Sequence, residues 1–425
     1  MRFSVIADDL TGASDCGGQL IKYGLHVSVL LKPFSGLMKE RDVLVFNSDS
    51  RSLSGCEAYQ KVREISERLK DVQFDFIYKK IDSTMRGNIG QELNAMSDVL
   101  HPDFVFIAPA YPEKGRQVID GIHYLDHKKL HETEFSKDPK TPVTESYLPK
   151  LIQEQSNQEV GHLSYSDLHK GLSHVTSRLD TYKKENTSYI VIDSIEDSDL
   201  ELFILLVSQL KYSVIWAGSA GLMNHLPKAY GLKPIQSDWS LSMTNEPVLL
   251  VIGSISKAGR NQLDHLLLNK DAVGVEMQSS LVVQDELIKQ KEMKRLKKEI
   301  EKAFQSKRNV AFFSCGKVSE TQEAGKKYGL NSVEISNEVS KVLGETAAQV
   351  IKEFNVHHLF LSGGDTAYQV MDQLGVDEFQ VLNEVEPGIP IGKLSNYQEM
   401  YAVTKAGNFG TDEVMSKATH LLQGG

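Results

Sequence analysis

The chain has 425 residues, more than the ~250–300 at which a single hydrophobic core usually stops growing, so two domains are expected. Hydrophobic residues make up 40% and charged residues 24% of the chain, which excludes a disordered or fibrous protein. The formal net charge of -10 argues against a general affinity for nucleic acids or for anionic membrane surfaces.

Cysteine usage and apolar stretches indicate where the protein resides. Cys16, Cys56 and Cys315 are odd in number and widely spaced, so neither a disulfide framework nor a zinc ribbon is supported. The first residues, MRFSVIADDL, lack the length and cleavage pattern of a signal peptide. No apolar stretch approaches the ~20 residues of a membrane span. These features predict a cytoplasmic protein with no membrane partner.

The first half alternates short apolar runs with segments of helical periodicity. Buried strands are predicted at Phe3–Ala7, His26–Leu31, Val43–Phe46, Phe74–Lys79, Phe104–Ala108, Tyr189–Asp193 and Val214–Ala217. Helices are predicted at Ala13–Tyr23, Glu57–Leu69, Ile89–Leu100, Ser198–Leu210 and Ala220–Tyr230. This alternation is typical of an α/β lobe with a mostly parallel sheet. The segment Ala110–Pro149 interrupts it and predicts an inserted hairpin or flap.

The second half repeats the pattern after a polar stretch, Lys233–Glu246, which we interpret as a linker. Strands are predicted at Pro247–Ile252, Val273–Met277, Val310–Ser314, His358–Leu361 and Met400–Thr404. Helices are predicted at Lys257–Asn269, Lys294–Phe304, Ser336–Phe354 and Thr366–Leu374. The expected architecture is therefore two α/β lobes, residues 1–235 and 246–425, with an active-site cleft between them.

Polar loops follow several of these strands, at the sheet edge where α/β proteins collect ligands. In the first loop, Asp8 and Asp9 directly follow a strand and precede a helix whose expected N-cap is Thr11. Such carboxylates bind Mg²⁺ or sugar hydroxyls, or accept a proton. The structural alternative is that one aspartate caps the helix.

A second loop, KKIDSTMRGN at residues 79–88, places two lysines, an arginine and an aspartate around a helix start. This set suits an anionic, hydroxylated ligand, because arginine binds a carboxylate through two hydrogen bonds while aspartate accepts from hydroxyls. The alternative is a surface cluster of salt bridges.

Three loops of the second half run from a strand through small residues into a following segment: IGSISK at 252–257, LSGGDTA at 361–367 and VTKAGNFG at 403–410. Turns of this kind direct backbone N–H groups, and often a helix N-terminus, at phosphates. Each could instead be a tight turn that needs a positive φ. Their occurrence three times in one lobe favours phosphate binding.

Several common motifs are absent or fail on spacing. The chain has no GxxxxGK[ST] and no GxGxxG after its first strand, which disfavours a P-loop enzyme and a nicotinamide enzyme. Gly218 and Gly221 do not flank Ser219 as a hydrolase elbow requires. The histidines at positions 123, 127 and 131 recur at a metal-ligand spacing for a helix, but their context favours a hairpin, and no metal-ligand set is predicted.

Five segments together resemble one family: ADDLTGA, KKIDSTMRGN, AGSAGL, SGGDTA and KAGNFG. In this order along the whole chain they are similar to the four-carbon acid sugar kinases. The resemblance implies ATP-dependent phosphorylation of threonate, erythronate or 3-oxo-tetronate, usually at the 4-hydroxyl. It also implies that the N-terminal lobe binds the acid sugar and the C-terminal lobe the nucleotide.

The resemblance assigns expected roles to individual residues. The acid sugar would contact Asp8 and Asp9 and the second loop through Lys80, Asp82, Ser83, Arg86, Gly87 and Asn88. ATP would contact Ser254 or Ser256, Gly363, Gly364, Asp365, Thr366 and Gly407. We expect Mg²⁺ to bridge the ATP phosphates, and the catalytic base to be Asp8, Asp9 or Asp365.

Two other function classes are compatible with the loops taken alone. One is an isomerase or aldolase that acts without ATP on a phosphorylated sugar, and the other is a hydroxy-acid sensor that binds ATP without transferring phosphate. The sequence leaves open which tetronate is the substrate. It also leaves open the oligomeric state, for which a homodimer is the assembly we consider.

Overall fold

The structure, a computed structural model, describes residues 1–32, 41–138, 140–235 and 239–425. The chain divides into two compact units: Met1–Leu25 with Gly36–Ile235, and His26–Ser35 with Gln236–Gly425. Of the predicted linker, residues 236–238 lie outside the described ranges, and the rest of it up to residue 246 contains neither helix nor strand. Within the described ranges, no helix combines the length and the apolar character that crossing a membrane requires.

The N-terminal half of the chain contains strands β1 to β11 and helices α1 to α8. The strands are β1 (Phe3–Ala7), β2 (Val27–Leu30), β3 (Val43–Asn47), β4 (Phe76–Lys80), β5 (Phe104–Ala108), β6 (Arg116–Ile119), β7 (Ile122–Leu125), β8 (Lys128–Lys129), β9 (Val160–Leu163), β10 (Tyr189–Ile192) and β11 (Val214–Gly218). The helices are α1 (Leu10–Ile21), α2 (Gly55–Leu69), α3 (Ile89–Leu100), α4 (Leu148–Ser156), α5 (Tyr165–His169), α6 (Leu172–Lys184), α7 (Asp197–Ser208) and α8 (Ala220–Ala229).

The main sheet of the first unit is parallel, as predicted. Its strand order is β3-β1-β4-β11-β5-β10-β9, and every neighbouring pair runs parallel. Strands β1, β3, β5 and β10 are buried along their full length, which explains why they are continuous apolar runs and do not alternate with polar residues. All the strands of this sheet therefore end on the same edge.

The predicted flap is a small antiparallel sheet, β6-β7-β8. His123 lies in β7, His127 adopts a positive φ in the following turn, and His131 lies in a short 3-10 helix. The three histidines thus share no helix face, and the hairpin interpretation is confirmed. Pro139, in the same predicted flap, lies outside the described residues.

The second unit adds strands β12 to β18 and helices α9 to α15. The strands are β12 (Val248–Ile252), β13 (Val273–Met277), β14 (Val310–Ser314), β15 (His358–Ser362), β16 (Glu378–Glu386), β17 (Ile389–Leu394) and β18 (Tyr401–Lys405). The helices are α9 (Lys257–Leu268), α10 (Ser279–Val282), α11 (Glu286–Gln305), α12 (Val318–Lys327), α13 (Ser332–Phe354), α14 (Gly364–Gln373) and α15 (Val414–Leu422).

The sheet of the second unit is mixed. Its strands β13, β14, β12, β15 and β18 are parallel neighbours, whereas β17 and β16 continue it in antiparallel pairing. Strand β2 completes this sheet through antiparallel pairing with β16. The strand predicted over His26–Leu31 therefore belongs to the second unit, although it lies among first-unit elements in the sequence.

Candidate active site

Three neighbouring strands of the first unit deliver charged residues to one edge of the sheet. In the parallel register, Ala7 at the end of β1 pairs with Asn47 of β3 on one side and with Lys80 of β4 on the other. The loops that follow these strands therefore begin side by side. They contain Asp8 and Asp9, the segment up to Arg51, and the KKIDSTMRGN loop.

Arg51 links the two aspartates. Its Nε and Nη2 donate to the two carboxylate oxygens of Asp8 at 2.6 and 3.0 Å, and its Nη1 donates to Asp9 Oδ2 at 2.7 Å. Burial alone would raise the pKa of Asp8, but the charges of Arg51, Lys79 and Lys80 outweigh it and hold that pKa below its usual value. Asp8 is therefore an ionised carboxylate at neutral pH.

The cap of helix α1 is Asp9, so the prediction of Thr11 was wrong. Asp9 Oδ1 accepts from the Gly12 amide at 2.8 Å, and Oδ2 accepts from the Thr11 hydroxyl at 2.8 Å. A carboxylate at an N-cap satisfies an open helix amide and is favoured by the helix dipole. Asp9 thus has a structural role as well as its contact with Arg51.

A buried polar network supports the loop that carries Arg51. Lys79 forms an ion pair with Glu92 of α3, with Nζ and Oε2 2.7 Å apart, and both side chains are buried. The other Glu92 oxygen accepts from Ser50 at 2.6 Å, and Ser50 contacts Ser48, which donates to the Ala7 carbonyl. The network fixes the Ser48–Arg51 backbone beneath the aspartates.

Asp82 and Arg86 form a second charged cluster. Arg86 donates from Nε and Nη2 to the two Asp82 oxygens at 2.7 and 3.2 Å, and from Nη1 to Asp138 of the flap at 3.2 Å. Its guanidinium also lies 5.3 Å from the centre of the Phe135 ring. Although burial opposes it, Arg86 and Arg51 together keep the pKa of Asp82 well below the usual value.

The other predicted residues of this loop have different surroundings. Lys80 is buried, and its Nζ donates to the Ile81 carbonyl at 3.0 Å. The Ser83 carbonyl accepts from His123 of the flap at 2.9 Å, and burial lowers the pKa of that histidine to about 4, so its ring is neutral.

A side chain at Gly87, where φ is +100°, would approach Arg51 and Asp8. The Asn88 amide donates to the carbonyls of residues 50 and 53, which anchors the Arg51 loop.

In the second unit, the three glycine-rich loops contact one another at the carboxyl ends of β12, β15 and β18. The Gly253 amide donates to the Ser362 carbonyl at 3.0 Å, and the Gly363 amide donates to the Lys405 carbonyl at 2.9 Å. The Ser256 hydroxyl donates to the Gly407 carbonyl at 2.8 Å. Backbone and hydroxyl contacts therefore join the loops into one surface.

The loops that lead into α9 and α14 differ in whether a side chain caps the helix. Ser256 caps α9 by accepting from the Gly259 amide at 3.1 Å, and Ser254 donates to Ser256. Gly363 stands at the N-cap of α14 with φ +103° and offers no side-chain cap, so the first amides of that helix face a position suited to an anion. Gly364 begins α14, and Asp365 is exposed in its first turn.

Thr366 is buried against the IGSISK loop, which follows β12. A Cβ at Gly253 would lie 1.9 Å from the Thr366 hydroxyl oxygen, so the close approach of the two loops requires glycine at position 253. The structure therefore brings Ser254, Ser256, Gly363, Thr366 and Gly407 together within the second unit.

Comparison with known proteins agrees with this division. Residues 3–226 match the family model for a sugar-binding N-terminal domain, and residues 249–415 match that for a nucleotide-binding C-terminal domain. The chain is 30% identical to the D-threonate kinase of Salmonella typhimurium, an alignment that covers 100% of this chain and 99% of that protein. The chain belongs to the four-carbon acid sugar kinase family. It is therefore a carbohydrate kinase with a nucleotide-binding domain.

Further matches of this kinase also extend over the full length. It is 28% identical to the 3-oxo-tetronate kinase of Pseudomonas savastanoi pv. phaseolicola, over 99% of this chain and 97% of that one. Its fold is similar to the crystal structure of a Haemophilus influenzae protein, with a TM-score of 0.74 at 24% identity over 99% and 100% of the two chains. The structural likeness supports the fold, and the sequence matches support the family.

Two charged residues of the candidate sugar-binding site, Arg51 and Asp138, were not predicted from the sequence. Arg51 lies in the run SDSR that follows β3. A polar run directly after a buried strand marks the ligand edge, so the pattern that located the other loops also applies to Arg51. Asp138 gives no such signal, because it contacts Arg86 across 52 residues of sequence.

The close approach at Gly407 leads to a testable prediction. A Cβ at this position would lie 2.3 Å from Ser254 Oγ and 3.1 Å from Ser256 Oγ. We expect Gly407→Ala to displace the loop and to raise KM for ATP about tenfold, the effect of an ~1.4 kcal/mol loss in binding. Steady-state kinetics at saturating acid sugar measures it. Adding Ser254→Ala removes the clashing hydroxyl, and a double variant no better than the single one would contradict the steric explanation.

Proposed function

We propose that this kinase transfers the γ-phosphoryl group of ATP to the 4-hydroxyl of a four-carbon acid sugar, namely threonate, erythronate or 3-oxo-tetronate. One observation carries the proposal. Arginines and carboxylates gather at the strand ends of the sugar-binding unit, while converging glycine-rich loops occupy the strand ends of the nucleotide-binding unit. The names of relatives support the choice of acids, since these include D-threonate, 3-oxo-tetronate and D-erythronate kinases.

In the proposed complex, Arg86 and Lys80 hold the carboxylate of the acid sugar. The Arg86 side chain is 25% exposed. It makes two hydrogen bonds to Asp82 and only one, at 3.2 Å, to Asp138, so a substrate carboxylate can replace Asp138 there. Asp82 then keeps the guanidinium oriented. Ser83, Gly87 and Asn88 shape the same loop, and hydroxyls of the sugar donate to the remaining carboxylate oxygens.

The nucleotide-binding loops fit the phosphates of ATP. The uncapped start of α14 and the glycines at positions 363 and 407 allow the backbone to approach the anion closely. Within the described part of the chain, no group of three or more potential ligands forms a metal site. Mg²⁺ would accordingly be held mainly by phosphate oxygens with one or two carboxylates, which is its usual mode in kinases. ATP supplies the group that is transferred, and the protein contributes positioning and charge.

A screen for ADP release tests the proposal. The purified chain is incubated with MgATP and each member of a panel of four-carbon acids, including both enantiomers of threonate and erythronate and 3-oxo-tetronate. We expect ADP release to depend on one or a few of these acids, and phosphorus NMR to place the product phosphate on carbon 4. ADP release with none of them, or product formation without ATP, would overturn the proposal.

The homodimer and the cytoplasmic location stay predictions.

The catalytic base can be identified with three single substitutions: Asp8→Asn, Asp9→Asn and Asp365→Asn. A group that accepts the proton of the attacking hydroxyl contributes roughly 10²–10⁴ to the rate, so its loss should lower kcat by that factor while the affinity for ATP stays near wild type. We expect this result for Asp8 or Asp9, since both lie in the sugar-binding unit. Full activity in all three variants would show that the base lies elsewhere.

A further inference from the structure

A lysine supports the last of the three glycine-rich loops from the inside. Lys405 ends β18, and its side chain is fully buried. Its Nζ donates to the carbonyls of Ala406 and Gly407 at 2.9 Å each and to that of Phe409 at 3.1 Å. An ammonium group has three hydrogens, so a single loop uses all of them.

This arrangement fixes the direction of the loop amides. In a trans peptide the C=O and the following N–H point to opposite sides, so carbonyls turned toward Lys405 direct the next amides away from it. Those amides belong to Gly407, Asn408 and Gly410. Among the described residues, none of the three donates to a backbone carbonyl. Adjacent outward amides, here those of Gly407 and Asn408, are the elements of a concave anion-binding site, whereas the Phe409 amide donates to the Ala406 carbonyl.

The loop also lies against the other two. Its Gly407 carbonyl accepts from Ser256, and the Lys405 carbonyl accepts from the Gly363 amide at the start of α14. The outward amides therefore belong to the same surface as the uncapped helix N-terminus. The charge that organises them lies behind the backbone, where it cannot itself coordinate a ligand on that surface.

We propose that Lys405 is a positioning residue for the phosphates of the nucleotide: by holding three carbonyls inward, it presents the amides of Gly407, Asn408 and Gly410 to an oligophosphate. This inference rests on the proposed function, because it assigns these phosphates to ATP. The positive charge is essential, since a neutral amine has only two hydrogens and would turn its lone pair toward the third carbonyl.

The protonation of Lys405 gives the inference a pH signature. Burial lowers the pKa of Lys405 to about 8, and Glu386 of β16 offsets this only in part. A bound anion favours the protonated lysine, so phosphate affinity should be full below pH ~8 and fall about tenfold for each further pH unit. A second group, Cys315 on the loop after β14, also has a lowered pKa, below its usual 9.0, and must be distinguished from Lys405 as the source of any pH dependence. Arg260 of α9, beside Cys315, stays charged throughout.

The test measures binding of ADP and of inorganic tripolyphosphate by calorimetry, without any transfer reaction. We expect Lys405→Met to weaken both ligands at least about tenfold, while the KM of the acid sugar changes little. The melting temperature should fall, because three carbonyls lose their donor. Thr404→Val, the neighbouring buried residue of β18, is the matched control and should bind like wild type. Lys405→Arg keeps its charge at high pH and should bind with less pH dependence.

The wild-type pH profile keeps the inference testable even where Lys405→Met does not fold. Affinity for tripolyphosphate that is constant from pH 7 to 9.5, or a pH dependence abolished by Cys315→Ser, would overturn it. So would unchanged tripolyphosphate binding in a folded Lys405→Met variant. Because these are binding measurements, a chain that binds tripolyphosphate as described but phosphorylates no acid sugar would refute the proposed function alone.

Discussion

Replacing Arg51 with methionine should lower kcat/KM for the acid sugar by at least about 10²-fold, the penalty typical of misplaced reacting groups, and leave KM for ATP near its wild-type value. Arg51 is only 16% exposed, and it makes three hydrogen bonds to two neighbouring carboxylates. Without it, Asp8 and Asp9 lose their shared counter-charge and repel each other. The pKa of Asp8 should then rise, because burial remains while the largest opposing influence is gone.

Two controls separate this effect from a general loss of charge. Arg51→Lys keeps the charge but not the planar fork that reaches both carboxylates, so an intermediate loss is expected. Arg63→Met removes an exposed arginine of α2 whose contacts among the described residues are with its helix neighbours Tyr59 and Glu67, and it should have no effect. A pH–rate profile adds a second measurement: the acidic limb of kcat/KM should move to higher pH in Arg51→Met. An unchanged profile would show that Arg51 does not set the ionisation of Asp8.

Much of this site could be predicted because α/β sheets place ligands at strand ends. A buried parallel strand is a continuous apolar run, so its end is visible in sequence, and the next polar residues lie at the functional edge. Asp8 and Asp9 after β1, and the KKIDSTMRGN loop at the end of β4, were located in this way. What the rule does not give is the pairing among these residues, which depends on the strand order β3-β1-β4.

The parts that could not be predicted depend on long-range pairing. Strand β2 joins a sheet built mostly from residues beyond 246, because Val27–Leu30 pairs with Glu378–Val381. Strands β16 and β17 were missed because β16 contains Asn and Glu and β17 contains Pro and Gly, residue types that are depleted in strands. Their pairing with each other and with β2 makes them extended. One difference is local and not long-range: helix α11 begins earlier than predicted, at Glu286, because Asp285 caps it through the Ile288 amide.

The largest effect on stability is expected for Lys79→Met. Lys79 and Glu92 are 0% and 1% exposed, and their ion pair has a distance of 2.7 Å. Removing one partner of a buried pair leaves an uncompensated charge, so unfolding free energy should fall by about 3–5 kcal/mol. Burial already raises the pKa of Glu92, although the charge of Lys79 lowers it. The loss of Lys79 would therefore raise this pKa further. Urea unfolding at neutral pH measures the loss.

The pH dependence and a double variant show whether the unpaired charge is the cause. In Lys79→Met, Glu92 is neutral below its ordinary pKa of 4.5, so the variant is closest to wild type there. The loss in unfolding free energy relative to wild type grows as the pH rises toward the raised pKa of Glu92 in the folded state, because ionisation of Glu92 then favours the unfolded chain. Lys79→Met combined with Glu92→Leu removes both charges and should recover most of the stability, apart from the hydrogen bond that Ser50 donates to Glu92. A double variant as unstable as the single one, at every pH, would mean that Lys79 stabilises the unit through packing and not through its charge.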